Sequence, residues 1–181
     1  MYVSQVPMAI KILIAGGFGA GKTTLVGSIS ETRPLRTEES ISGFSAVAGK
    51  TTTTVAMDYG RLTIRDQYTL YLFGTPGQER FWFVWDELAS GAIGAVVLAD
   101  VHRLADCFPA VDYFEQNRTP FIVALNRFED LPELEVSRVR QALDLPDDIP
   151  IVLCDARRRE SGKEVLIALL QHALTRNGTP A

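Results

Sequence analysis

The sequence predicts an α/β fold, a mostly parallel sheet covered by helices on both faces. Three observations carry that expectation. Short apolar runs alternate with helical patterns along most of the chain. A glycine-rich turn separates the first apolar run from the first helix. Two neighbouring strand-like segments lie too close in sequence to pair in parallel. With 181 residues, 46% of them hydrophobic, the chain can bury one such core but is too short for two full domains. A single domain over 9–176 is expected, with short tails at 1–8 and 177–181.

Residues 10–15 form an isoleucine-rich run that ends in Gly16-Gly17, a buried first strand entering a turn. Leu25, Val26 and Ile29, with small residues between them, predict a helix over 23–30. The segment 32–53 is polar, lacks a period and is broken by Pro34 and Gly43, so a long loop is expected. Residues 55–64 and 68–73 read as an antiparallel hairpin turning at Asp66-Gln67. A short aromatic helix over 81–88 and a buried strand over 93–98, closed by Asp100, follow. The helix over 104–115 contains Pro109, which predicts a late start or a kink. A strand at 121–125, a helix at 134–143 and a last strand at 151–153 come next. In the final helix, Ser161 and Glu164 fit a capping box ahead of Val165, Leu166, Leu169, Leu170, Ala173 and Leu174.

Lys and Arg total 18 against 22 Asp and Glu, a net charge of -4, so no excess of positive charge draws the chain toward nucleic acid or anionic lipid. The run Arg157-Arg158-Arg159 reads as a solvated loop. Cys107 and Cys154 lack metal-site spacing and read as reduced, semi-buried thiols of a cytosolic protein. Residues 1–8 lack the pattern of a signal peptide, the tail has no lipidation cysteine, and no window reaches eighteen apolar residues. A cytoplasmic location is expected, with any membrane recruitment through a partner.

The turn Gly16-Gly17-Phe18-Gly19-Ala20-Gly21-Lys22-Thr23 satisfies G-x-x-x-x-G-K-[ST] at a strand-to-helix junction. This is a P-loop. Backbone N–H groups from Gly16, Phe18, Gly19, Ala20 and Gly21, continuing through Thr24, can curl around phosphate oxygens, and the helix dipole adds to them. Lys22 should span the β- and γ-phosphates, and the Thr23 hydroxyl should bind Mg²⁺, a hard cation that prefers oxygen. Further along, Thr75-Pro76-Gly77-Gln78-Glu79-Arg80-Phe81 follows a strand neighbouring this loop. Gly77 could offer its N–H to the γ-phosphate and Gln78 could orient an attacking water; the plainer reading is a Pro-Gly turn with a surface glutamine.

On these motifs, and over about 10–175, the chain resembles the Ras-like small GTPase superfamily. It resembles more closely the bacterial branch that includes the gliding-polarity GTPase and the actinobacterial conserved-operon ATP/GTP-binding proteins. That resemblance implies a six-stranded sheet with one antiparallel edge strand, five helices, GTP/GDP and Mg²⁺. It makes 32–53 the first switch, with Thr54 as the threonine that reaches Mg²⁺ when the γ-phosphate is present. Residues 74–78 align with D-x-x-G-Q, but Gly74 stands where the family has aspartate; Asp58 on the adjoining strand is a substitute, or else a solvated edge residue. Asn126-Arg127-Phe128-Glu129 resembles N-K-x-D, so Glu129 or Asp130 would pair with the guanine ring. Asp155-Ala156-Arg157 resembles S-A-K, where the Ala156 N–H would read the guanine oxygen and Arg157 would flank it. Phe18 occupies a position that is usually small, which implies slow intrinsic turnover and either a displaced ring or an activator that acts without a trans arginine; an internal arginine, Arg33 or Arg36, is conceivable.

The expected function is a GTP-operated switch with slow, partner-stimulated hydrolysis, in which Lys22, Thr54 and Gln78 act on the triphosphate. Phe81, Trp82, Phe83 and Trp85 follow Gln78 and cannot all face one side of a short helix, so at least one should anchor a partner. The resemblance implies a roadblock/longin-type homodimer as that partner, in signalling or cell polarity. A catalytically weak nucleotide-binding scaffold and a P-loop small-molecule kinase are the alternatives.

Overall fold

The computed structural model describes residues 7–33, 35–42, 52–77, 84–127 and 136–177, with the backbone alone at 35–42, 52–56 and 177. Successive side chains of the central strands point to opposite faces of the sheet and are buried on both, building two cores. Ile12 and Ile14 of β1 (Met8–Ala15) pack with Leu25, Val26 and Ile29 of α1 (Lys22–Ile29) and with Val165, Leu166 and Leu169 of α5 (Arg159–Asn177). Leu13 and Ala15, one residue out of phase, face the opposite core. There they meet Trp85 and Leu88 of α2 (Trp85–Ala89), Val111 and Phe114 of α3 (Phe108–Gln116), and Val139 of α4 (Val136–Ala142). The period of two in β-structure thus serves two helical layers at once.

The sheet has seven strands in the order β2-β3-β4-β1-β5-β6-β7. β4 (Tyr68–Gly74), β1, β5 (Ala92–Asp100), β6 (Phe121–Asn126) and β7 (Ile151–Cys154) run parallel. β3 (Thr52–Ile64) is antiparallel to β4, as the short connection requires. All six expected strands are present, and the α/β class with helices on both faces is observed.

Several local expectations need correction. The segment 32–53 contains a strand, β2 (Leu35–Ser42), antiparallel to β3. It lies at the sheet edge, where pairing on one side suffices, and its sequence holds no continuous apolar run. The hairpin turn centres on Arg65-Asp66, both with positive φ (50° and 54°), and closes through the Gln67 N–H to the Ile64 carbonyl at 3.1 Å. This is the type I′ geometry that matches strand twist. The final helix starts at Arg159, so Ser161 lies inside it and no capping box forms; the Ser161 hydroxyl instead accepts the Asp155 N–H at 3.0 Å. Arg159 is not a solvated loop residue, because its guanidinium reaches the Ser28 and Ser30 carbonyls at the carboxyl end of α1. Both cysteines are fully buried rather than semi-buried. Pro109 does enforce a late start: a 3₁₀ turn over Leu104–Cys107 precedes α3, with the proline in its first turn. Among the described residues no helix is long and apolar enough to cross a membrane.

Candidate functional site: the phosphate loop and its surroundings

The parallel strands deliver their carboxyl ends to one edge of the sheet, where ligands of open α/β folds bind. Residues 16–21 leave β1 there and enter α1. Gly16 has φ +137°, and a Cβ on it would lie 2.2 Å from the Leu98 carbonyl oxygen on β5, so only glycine allows the turn to begin. Gly21 is the N-cap of α1 with φ 104°, in the left-handed region. Phe18 lies between these constraints and points outward, 69% exposed.

The sequence-expected phosphate ligands converge. Lys22 folds back so that Nζ donates to the Gly16 carbonyl at 2.9 Å and the Gly17 carbonyl at 2.7 Å. Burial brings its pKa down to about 8, against the opposing pull of Asp58. Gly77 belongs to the same cluster, since a Cβ there would lie 2.8 Å from Lys22 Nζ and 3.1 Å from Phe18 N. A larger residue could not approach the loop so closely.

Thr23 donates its hydroxyl hydrogen to the Asp58 carboxylate. β3 and β4 place Asp58 directly opposite Gly74, and a Cβ on Gly74 would fall 3.4 Å from Asp58 Oδ2. A carboxylate on β3 thus fills the space that one on β4 would enter. Together the Thr23 hydroxyl and the Asp58 carboxylate form a hard oxygen pair of the kind Mg²⁺ accepts. Thr54 is not brought to them. It pairs with Ser40 in the β2–β3 ladder, four residues before Asp58 and about 13 Å along the strand.

Asn126, only 3% exposed, ties three segments together. Its Nδ2 donates to the Ala20 carbonyl at 2.9 Å, and its Oδ1 accepts the Ala156 N–H at 3.1 Å. The N–H expected to read a guanine oxygen is therefore engaged within the protein. Arg157 is bound to Asp155 through its backbone N–H, Nε and Nη2, and the guanidinium holds the Asp155 carboxyl below the usual carboxylate range. Glu129, Asp130 and Gln78 lie outside the described residues, as do Phe81, Trp82 and Phe83. Trp85, the described member of the aromatic group, is buried, and its Nε1 donates to the Pro76 carbonyl at 3.4 Å.

Arg103 also belongs to the site, although sequence reasoning missed it. Its Nη2 donates to the Phe18 carbonyl at 2.9 Å and its Nε to Asp100 at 3.1 Å, with Asp106 at 3.6 Å from Nη1. The sequence held one usable signal, the pair of aspartates three residues to either side of an arginine just past a strand.

Comparison with known proteins agrees with this architecture. The G domain of the T. maritima FeoB iron transporter matches with a TM-score of 0.64 over 91% of this chain and 99% of that chain, at 19% identity. The cytosolic domain of the same transporter in apo form matches with a TM-score of 0.66 over 91% of this chain and 64% of its own, also at 19% identity. At that identity the likeness establishes the P-loop GTPase-like fold. An uncharacterized protein of Methanocaldococcus jannaschii is 30% identical over 132 residues, 72% of this chain and 77% of its own. Residues 14–176 match the family described as conserved hypothetical ATP binding proteins, and the chain belongs to that family.

Proposed function

We propose that this protein is a nucleotide-operated switch of the Ras-like type, which binds GTP with Mg²⁺ and hydrolyses it slowly. The observation that carries the reading is the convergence of Lys22, Gly77 and the Thr23–Asp58 pair on the mouth of the glycine-rich loop. The loop N–H groups and the α1 dipole bind the phosphates. Lys22 exchanges its two carbonyl partners for phosphate oxygens. Thr23 and Asp58 would hold Mg²⁺, which would supply positive charge to neutralise the phosphates. Asp58 does so in place of the aspartate that Gly74 lacks. Gln78 orients the attacking water, and the Gly77 N–H senses the γ-phosphate. For Thr54 to join the ion, the first half of β3 must leave its pairing with β2, which is the motion a switch needs. Phe18 at the rim keeps turnover slow and favours stimulation without a trans arginine. The resemblance to the gliding-polarity branch supports a roadblock/longin-type homodimer as the partner, in signalling or cell polarity at the cytoplasmic side of a membrane.

A second reading concerns the base. The Ala156 N–H is engaged by Asn126, and the family description names ATP, both of which favour tolerance of adenine. Titration with labelled GDP and ADP separates the two: a preference for GDP of tenfold or more supports guanine reading by Glu129 or Asp130, and equal affinities defeat it. Phosphate release from GTP and ATP, alone and with the candidate dimer, tests the switch. Binding without release under any condition would leave a scaffold, phosphate transfer to an added metabolite would favour a kinase, and absence of binding would sink the proposal.

A further inference from the structure

We propose that Arg103 is a positioning residue of the phosphate cradle: gripped by Asp100 and Asp106, its guanidinium holds the Phe18 carbonyl outward and so aims the Gly19 N–H into the cradle. The inference rests on the reading of 16–23 as a phosphate site.

The arginine is fixed from several sides. Its own N–H donates to the Asp100 carbonyl at 2.9 Å, and the Asp106 N–H donates to the Arg103 carbonyl at 3.0 Å. Both Asp100 carboxylate oxygens are used, Oδ1 by the His102 N–H at 2.9 Å and Oδ2 by Arg103 Nε at 3.1 Å. The turn that carries them packs on the loop itself: a Cβ on Gly17 would lie 2.5 Å from the Asp106 Cβ, and one on Gly19 3.2 Å from Arg103 Nη2. The remaining guanidinium nitrogen meets the Phe18 carbonyl at 2.9 Å.

Geometry then gives that contact a consequence at the ligand. Across a planar trans peptide, the carbonyl of one residue and the N–H of the next point in opposite directions. With the Phe18 oxygen held on the outer side by Arg103, the Gly19 N–H faces the inner side. A glycine-rich loop has little intrinsic preference for that orientation, because glycine tolerates either sign of φ. Within the loop the Ala20 N–H to Gly17 carbonyl bond is long, at 3.3 Å. A charged donor on the Phe18 carbonyl also polarises the peptide, which strengthens the Gly19 N–H toward an anion. The Arg103 side chain is half exposed, and ion pairs of that kind contribute little to stability. Its loss should therefore weaken the ligand contact and leave the fold in place.

The test uses the full chain as wild type, Arg103→Ala, Arg103→Lys and Lys22→Ala, titrated with GDP, ADP and inorganic pyrophosphate, with melting curves of each empty protein. Arg103→Ala should bind all three ligands about tenfold more weakly, as expected for one charge-assisted hydrogen bond, while melting within about 2 °C of wild type. Lysine at 103 should restore part of the affinity, and millimolar guanidinium should restore part of it to the alanine variant. The Gly19 amide resonance should move on pyrophosphate addition in the wild type and lose most of that shift in Arg103→Ala. Wild-type affinity in Arg103→Ala would overturn the inference, as would a loss that neither lysine nor guanidinium relieves and that tracks a lowered melting temperature. If Lys22→Ala keeps wild-type affinity, or the wild type binds no ligand, the phosphate-site reading itself fails, and this inference with it.

Discussion

Raising the pH from 7 to 9 should weaken nucleotide binding about tenfold through Lys22 alone. Burial lowers the Lys22 pKa to about 8, because in the empty loop its ammonium exchanges water for two carbonyls, and the nearby Asp58 and Cys107 only partly offset that loss of solvation. A phosphate anion at the loop favours the protonated form strongly, so a neutral Lys22 must take up a proton when ligand binds. The protonated fraction of the empty site falls from about nine-tenths at pH 7 to about one-tenth at pH 9, a loss of ~1.4 kcal/mol in binding. Cys107 adds no step, since burial and the neighbouring Asp106 push its thiol up to about 12. Titration calorimetry at pH 8.5 in buffers of differing ionisation enthalpy should register uptake of about three-quarters of a proton per nucleotide. For folding the sign is the same as for any depressed lysine. Between about 8 and 10.5 the unfolded chain binds more protons, so the empty protein gains stability as the pH rises through that window. Constant affinity between pH 7 and 9, with no buffer-dependent heat, would refute the burial of an ammonium at this site.

Four variants probe the metal pair, the loop and the attacking water. Asp58→Asn keeps the shape but removes the charge beside Thr23, so Mg²⁺ should enhance GTP affinity at least about tenfold less, read by titrating GTP at fixed Mg²⁺ concentrations. Because positions 58 and 74 face each other across the ladder, Gly74→Asp combined with Asp58→Gly should recover part of that enhancement; no recovery would count against a shared carboxylate position. Gly16→Ala should cost about 2–4 kcal/mol in denaturant unfolding, since the new methyl meets the Leu98 carbonyl at a φ that alanine avoids. Gln78→Leu should leave GTP affinity within about twofold and slow phosphate release at least about tenfold; unchanged release would remove Gln78 from water orientation.

The phosphate loop was legible because its chemistry is local. Eight consecutive residues, placed between an apolar run and a helix, announce both the turn and the ligand. The two-faced strands were legible for a related reason, since Ile12–Ala15 of β1, Ala95–Ala99 of β5 and Phe121–Leu125 of β6 are unbroken apolar runs. β2 was not: Leu35–Ser42 is polar, and its pairing partner lies far enough along the chain that no short window contains both. The helix start at Arg159 was missed because Ser161 has two uses, as a cap and as an acceptor for Asp155, and the tertiary contact prevails. Asp58 could be suspected from the missing aspartate at 74, yet only the register shows that the two positions face each other. Arg103 and the Asn126 clamp depend on contacts across 85 and 106 residues, which periodicity and spacing do not encode.

Binding of a nucleotide's phosphates by Lys22 and its loop is tested by calorimetric titration of Mg²⁺–GTP into wild type and Lys22→Ala at pH 7. Loss of a charge-assisted phosphate contact in a partly buried site should weaken binding by at least about a hundredfold, with the fold retained in both proteins. Equal affinity for wild type and variant, or no heat of binding to the wild type, would contradict it.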